Sequence, residues 1–222
     1  MVHRREINGE TVVFGNQGDL WRTAQTWFDH ETGSVWSQVT GTALLGPLAG
    51  TTIELLPSEL ANWSDWREQF PETQALATGT ARNTFRVRNL TVAGRVNDEV
   101  AGVEFRDLAP LGSISTEIDG EPVIFIAEEE EERWAVFFRT IDGVERNIEL
   151  QLGLLVDTDT GDTWSPRTGA SFTGAGQLDR VPTFSANFAN FIDIFPDAQV
   201  LVEPAVIRDI PFPVLPYTVL RD

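Results

Sequence analysis

The chain contains no cysteine and no lysine, and only one methionine and one tyrosine, among 222 residues. Without cysteine it can form no disulfide, no thiolate nucleophile, no zinc finger of the cysteine type and no iron–sulfur cluster. Without lysine, the glycine-rich stretch "GPLAG" at 46–50 cannot be a phosphate loop, which needs a Lys-Ser/Thr pair. No stretch approaches the ~18 consecutive apolar residues of a membrane helix, and "MVHRREINGE" lacks the apolar run of a signal peptide. The missing lysine goes with an excess of acid. All sixteen basic residues are Arg against 34 acidic ones, a formal charge of −18. Residues 1–78, 79–138 and 139–203 carry −6 each and residues 204–222 are neutral, so the charge is not gathered into one cleft. An even acidic surface resembles that of proteins adapted to concentrated salt, where screening shortens repulsion. It excludes nucleic acid as a partner, because duplex binding needs a basic face.

What is present is bulky and apolar. Seven Trp and fourteen Phe, within a hydrophobic fraction of 41%, supply a core and argue against disorder. These residues fall in a repeated pattern. "FDHETGSVW" at 28–36 is rewritten as "VDTDTGDTW" at 156–164. "REING" at 5–9 matches "RTIDG" at 139–143, and "NWSDWREQFPETQAL" at 62–76 matches "NFANFIDIFPDAQVL" at 187–201. The order is kept while the offset drifts from 134 to 128 to 125, which two small deletions explain. Each copy opens on an NG or DG hairpin turn, continues through a strand to a D-x-x-T-G turn, and returns on a strand carrying Trp36 or Trp164. Each then enters a short helix that stops at Phe-Pro. In the first, Leu60, Trp63, Arg67 and Phe70 form a stripe behind a Ser58 cap; in the second, Phe184, Phe188, Phe191 and Phe195 do so. The expected fold is a single, mainly β (β-rich α+β) domain over 1–222. Two pseudo-symmetric β-turn-β-helix-β repeats, 5–78 and 139–203, share one core and contribute two short helices. Residues 79–138 supply intervening strands and an acidic hairpin, and 204–222 an extended Pro-rich tail.

The stretches "FGNQGDLW", "FDHETGSVWSQVTGTALLGPLAGTTIELLP" and "NWSDWREQFPETQAL" resemble a bacterial and archaeal family catalogued as domain of unknown function 3179. "GRVNDEVAGVEFRDL" and "GEPVIFIA" look like the same family's second portion. The resemblance implies no activity and leaves an extracytoplasmic location open. Family members usually carry a "CPLC"-like segment upstream of the first match; this sequence begins after that point. Copy two likewise has "PVIFIAEEEEERWAVFFR" before its DG turn where copy one has only "MVHRR". A strand edge is therefore expected to be open in copy one, with the Pro-rich tail as its cover.

The chemistry-bearing candidates are few. Asp29, His30 and Glu31, with Ser34, place carboxylates, an imidazole and a hydroxyl together, a set suited to acid–base or nucleophilic work. Trp21, Trp27 and Trp36 lie close by in sequence. The competing reading is a plain turn. Copy two keeps Asp157, Thr160, Gly161 and Trp164 but replaces His30 with Thr158 and Ser34 with Asp162, so geometry is retained and reactivity is not. His3, near a terminus, is expected to be mobile. "DTDTGD" places Asp157, Asp159 and Asp162 in an acidic turn, a weak calcium alternative that fails the EF-hand spacing. Glu128–Glu132 reads as a solvated hairpin tip, and Trp63 and Trp66 as core packing rather than a ligand platform. Asn62 and Asn89 begin glycosylation sequons that matter only in a secreted chain. No metal and no cofactor are implied. The residues support a non-enzymatic binding or structural module, with a hydrolase built on Asp29, His30 and Glu31 near Trp21 and Trp27 as the alternative. Ligand, compartment and oligomeric state are not written in the sequence.

One expectation follows from charge alone. In thermal melts followed by Trp fluorescence between ~0.1 and ~3 M NaCl, the midpoint should rise with salt and be indifferent to Ca²⁺ or EDTA.

Overall fold

The computed structural model describes residues 1–61, 63–74, 87–130 and 132–202. Its centre is a four-stranded sheet ordered Thr183–Ala186, Thr91–Val96, Glu99–Glu104, Gln199–Val200. The two middle strands form a hairpin across the 97–98 turn, and Gln199–Val200 joins in parallel. Both faces of this sheet are buried, which follows from the near-continuous apolar run of its strands. Val92, Val96, Ala101 and Val103 pack with Val123, Phe125, Ala127 and Val136 of a three-stranded meander, Ser113–Ile118, Glu121–Glu128 and Arg133–Phe138. The alternate residues Ala93 and Val100 pack instead with Phe184, Phe191 and Ile194. Phe191 and Ile194 come from a helix, α3 (Phe188–Ile194). Two glycines set the distances between layers. A Cβ at Gly94 would lie 3.2 Å from Ile118 and 3.3 Å from Phe125, and one at Gly102 only 2.6 Å from the Phe191 ring.

The flanking segments build two smaller assemblies. In the first, a hairpin of Glu6–Ile7 and Glu10–Thr11 leads into a meander of Phe14–Trp21, Ala24–Asp29, Val35–Ser37 and Ala43–Leu45. In the second, a hairpin of Thr140–Ile141 and Val144–Glu145 leads into Ile148–Gln151, Leu154–Asp157 and Thr163–Trp164. Their backbone hydrogen bonds correspond at the places where the sequence phrases match. Val12 N–H reaches Arg5 O and Arg146 N–H reaches Arg139 O, both at 2.8 Å. Gly33 N–H reaches Asp29 O at 2.9 Å, and Gly161 N–H reaches Asp157 O at 2.8 Å. Gly41 N–H reaches Ser37 O at 2.9 Å, and Gly169 N–H reaches Ser165 O at 2.8 Å. Ile53 N–H meets Gly41 O and Leu178 N–H meets Gly169 O, both at 2.9 Å. At Asn8-Gly9 and Asp142-Gly143 both residues of each hairpin turn have positive φ, the conformation that NG and DG pairs favour.

The chain is thus mainly β, but its interior is not arranged as expected. Trp36 and Trp164 are both fully buried, yet in separate clusters. Trp36 packs with Ile7, Val12, Ala43 and Ile53, and Trp164 with Ile141, Ile148, Leu155 and Leu178. The intervening segment is the reason. The meander of residues 113–138 is apolar on both faces, so Ile124, Ile126, Ala135 and Phe137 close the Trp164 cluster while their neighbours in the strands close the central one. The two expected helices, α1 (Trp63–Gln69) and α3, are joined by a four-residue helix, α2 (Phe105–Leu108). Both α1 and α3 stop directly before Phe-Pro. The stripe on α1 is not core, since Trp63 and Phe70 are 44% and 41% exposed. The helix begins at Trp63, so Ser58 is not at its N-cap position; the Ser58 carbonyl accepts the Thr183 hydroxyl at 2.8 Å. Phe184 lies on a strand, not on the helix. Val2–His3 pairs with Leu55–Leu56; the Pro-rich tail expected against that strand lies outside the described residues.

The layer spacing is testable. Gly102→Ala forces the Phe191 ring to move inside a packed interior and should lower the unfolding free energy by about 1–3 kcal/mol in urea titrations, with the far-UV spectrum unchanged.

Candidate functional site

The phrase "DHETGS" occupies the turn between Ala24–Asp29 and Val35–Ser37. Asp29 ends its strand fully buried. Its carboxylate accepts the Thr32 N–H at 2.6 Å and the Trp36 indole N–H at 2.8 Å, and the Thr32 hydroxyl lies 2.8 and 2.9 Å from its two oxygens. Burial alone would raise the pKa of this group. The hydrogen bonds from Trp36, Thr32 and Gly33 outweigh that and hold it below the usual aspartate value. Ser34 is also fully buried. Its hydroxyl lies 2.6 Å from Thr32 Oγ1 and accepts the Leu48 N–H at 3.1 Å. These groups therefore form one closed network that ties a turn to the Trp36 cluster.

The other candidates point elsewhere. His30 is exposed, its ring stacked on Phe28 at 4.9 Å. Gly15 makes room for that pair, since a Cβ there would sit 2.5 Å from Phe28. Exposed Glu31 accepts the Val13 N–H at 3.2 and 3.3 Å. Trp27 packs 5.9 Å from Phe14 and meets the His3 ring edge-on at 5.7 Å. His3 is not a loose terminal residue. It lies half-buried in a strand with Nε2 2.9 Å from Gln38 O, and its burial lowers its pKa. Trp21 packs against the α3 cluster, with the Arg22 guanidinium 5.0 Å from its ring centre. Asp29, Ser34 and Trp36 are thus brought together in one network. His30 and Glu31 flank it on the surface, Trp27 packs against the Trp36 cluster, and Trp21 belongs to the α3 cluster.

The hairpin of residues 17–25 makes contacts that are invisible in the sequence. The second flanking assembly turns at once through Leu152 and Gly153, whereas the first extends its hairpin to Arg22 and Thr23. That extension reaches α3. The Arg22 guanidinium donates to Asp193 O and lies 3.9 Å from its carboxylate, and Thr23 meets Asn190. The reverse contact comes from Arg180, 2.5 Å from Glu59.

The acidic turn at residues 157–162 is also self-satisfied. Asp157 accepts the Asp159 N–H at 3.0 Å, Asp159 accepts from Asn147 at 2.9 Å, and Asp162 accepts the Thr160 hydroxyl at 2.8 Å. Hydrogen bonds from Thr160 and Thr173, with the nearby Arg146 charge, hold the Asp162 carboxyl below its usual range. Arg146 lies 3.6 Å from Asp157 and 4.0 Å from Asp162, where it acts as the counter-cation. Among the described residues no group of three His, Cys, Asp or Glu side chains is placed to hold a metal. At the acidic hairpin, Glu128 pairs with buried Arg133 and Glu129 with Arg88 at 2.8 Å. Trp66 lies 4.5 Å from Phe70 and its indole N–H reaches the Thr73 hydroxyl at 3.2 Å. Among the described residues no helix is long and apolar enough to cross a membrane.

The role of the Asp29 network can be measured. Asp29→Asn should cost about 2 kcal/mol at pH 7, whereas His30→Ala should stay within about 0.5 kcal/mol. Because the folded Asp29 pKa is depressed, its contribution is present above the unfolded value of about 3.9 and is lost as pH falls through the folded value. The gap between wild type and Asp29→Asn in urea titrations should therefore narrow only below about pH 4.

No curated protein and no solved structure matches the chain. A family match covers residues 1–91 and so includes the Asp29 turn and α1. It ends before the strands of "GRVNDEVAGVEFRDL" and "GEPVIFIA", whose resemblance to the same family therefore lies outside it. Over residues 1–91 the chain resembles the family described as "Protein of unknown function (DUF3179)".

Proposed function

We propose that the protein is a non-enzymatic binding or structural module, built by duplication of one unit (5–78 and 139–203) around the intervening strands of 79–138. The observation that carries this reading is the fate of the one reactive-looking phrase. Asp29 and Ser34 are buried and bonded to the turn that contains them, and His30 stacks on Phe28. A nucleophilic hydroxyl needs a base within about 3.2 Å and access to substrate; Ser34 faces Thr32 and Leu48 instead. The corresponding hydrogen bonds of the two copies also favour duplication, since the turn is kept where its reactive residues are exchanged. The extension at residues 17–25 fits the same reading, as an added piece that fastens one half to the other.

A fluorophosphonate probe separates this from the hydrolase alternative. The folded protein should remain unlabelled over hours at ~10 µM probe, because Ser34 is neither exposed nor paired with an imidazole. Labelling that disappears in both Ser34→Ala and His30→Ala would overturn the proposal.

A further inference from the structure

The turn at 97–98 and the segment following α3 enclose a groove of about 420 Å³. Its floor is apolar, with Val100, Ile118 and Ile194 buried there and Phe195 and Ala198 half-buried beside them. Its rim carries Asp98, Glu99 and Asp197, all exposed, and no basic residue lines it. The arginines nearby are committed elsewhere. Arg95 donates through Nε to Asn97 O at 3.0 Å and through a terminal nitrogen to Thr40 O at 3.3 Å, and is 3.7 Å from Asp98. Arg22 is taken by Asp193. Glu99 accepts the Asp119 N–H at 3.0 Å. Asp197 has neither hydrogen bond nor ion pair to its side chain among the described residues.

We propose that this groove binds a small organic ammonium ion, its apolar body on Val100, Ile194 and Phe195 and its ammonium group at Asp197, with Asp98 adding to the field. The groove is shallow and half open to solvent, so it suits a small ligand held by one face. Charge complementarity selects a cation, and the −18 net charge draws cations toward the surface. The apolar floor selects an organic one, because a hydrated metal ion gains nothing from burying against Ile194 and Phe195. This inference rests on the reading of the chain as a binding module, but it fails independently of it, since amine binding and probe labelling of Ser34 are separate observations.

The test is a titration of the full chain with 2-phenylethylammonium, followed by amide ¹H–¹⁵N shifts. Saturable shifts at Val100, Ala198 and Gln199 are expected, with a Kd of about 1 mM. Asp197→Asn, a substitution at an exposed site, should weaken binding roughly fivefold, and ~1 M NaCl should weaken it further. Ala198→Phe, which fills the groove, should abolish binding while the melting temperature stays within a few degrees. Equal binding of the uncharged 2-phenylethanol, an unchanged Kd in Asp197→Asn, shifts centred elsewhere, or no saturable shift at all would each overturn the proposal.

Discussion

Everything in this fold rests on a sheet that must be dry on both sides. The strands Thr91–Val96 and Glu99–Glu104 have one face against the meander of residues 113–138 and the other against α3. A two-sided sheet has no solvent face on which to place charge, so its alternation is between two kinds of apolar neighbour. Glycine at 94 and 102 allows Phe125 and Phe191 to reach the backbone. Interiors are packed densely enough that a single methyl group at such a position is felt. The hairpin from Thr91 to Glu104 thereby determines how far apart the meander and α3 stand.

The two flanking assemblies solve a different problem. Each closes a tryptophan over a small local cluster, and each must turn the chain sharply beside it. A buried carboxylate is costly unless its hydrogen bonds are complete. Asp29 meets that condition with the Trp36 indole and the Thr32 backbone, so the polar turn and the aromatic cluster stabilise one another. Asp157 reaches the same turn by another balance. Trp164 donates instead to Gly176 O at 3.0 Å, and Arg146 stands beside the carboxylate. The same kind of turn is thus supported by a neutral donor at Asp29 and a cation at Asp157. Residues at such turns can differ in type while the geometry is the same.

Acidity and cohesion are reconciled by where the arginines sit. Arg133 and Arg139 are buried, bonded to main-chain carbonyls and paired with Glu128 and Glu145. Arg22 and Arg180 tie one half to the other through Asp193 and Glu59. With no lysine in the chain, basic groups are spent on planar, multi-bonded contacts that an ammonium ion makes poorly. The surface keeps the acids, three of which, Asp98, Glu99 and Asp197, rim the groove beside α3.

Much of this was legible in the residues themselves. The NG and DG hairpins, the Asp-Thr-Gly turns, the β character of the chain and the Phe-Pro ends of α1 and α3 follow from local stereochemistry, which a short stretch carries by itself. The turn reading of Asp29 was legible too, because comparison of the copies exposed which positions hold geometry. The partitioning of the core was not. Whether Trp36 and Trp164 share an interior depends on what stands between them, and the strands of residues 91–138 do so only after pairing across long sequence separations. Nor could spacing reveal that Trp21 and Arg22 reach α3, or that Trp63 stays exposed on α1 while α3 buries Phe191 and Ile194. A sequence states which faces are apolar; only the assembled structure decides which apolar faces meet, because each can be satisfied by any partner of similar shape and the choice is made by the whole chain at once.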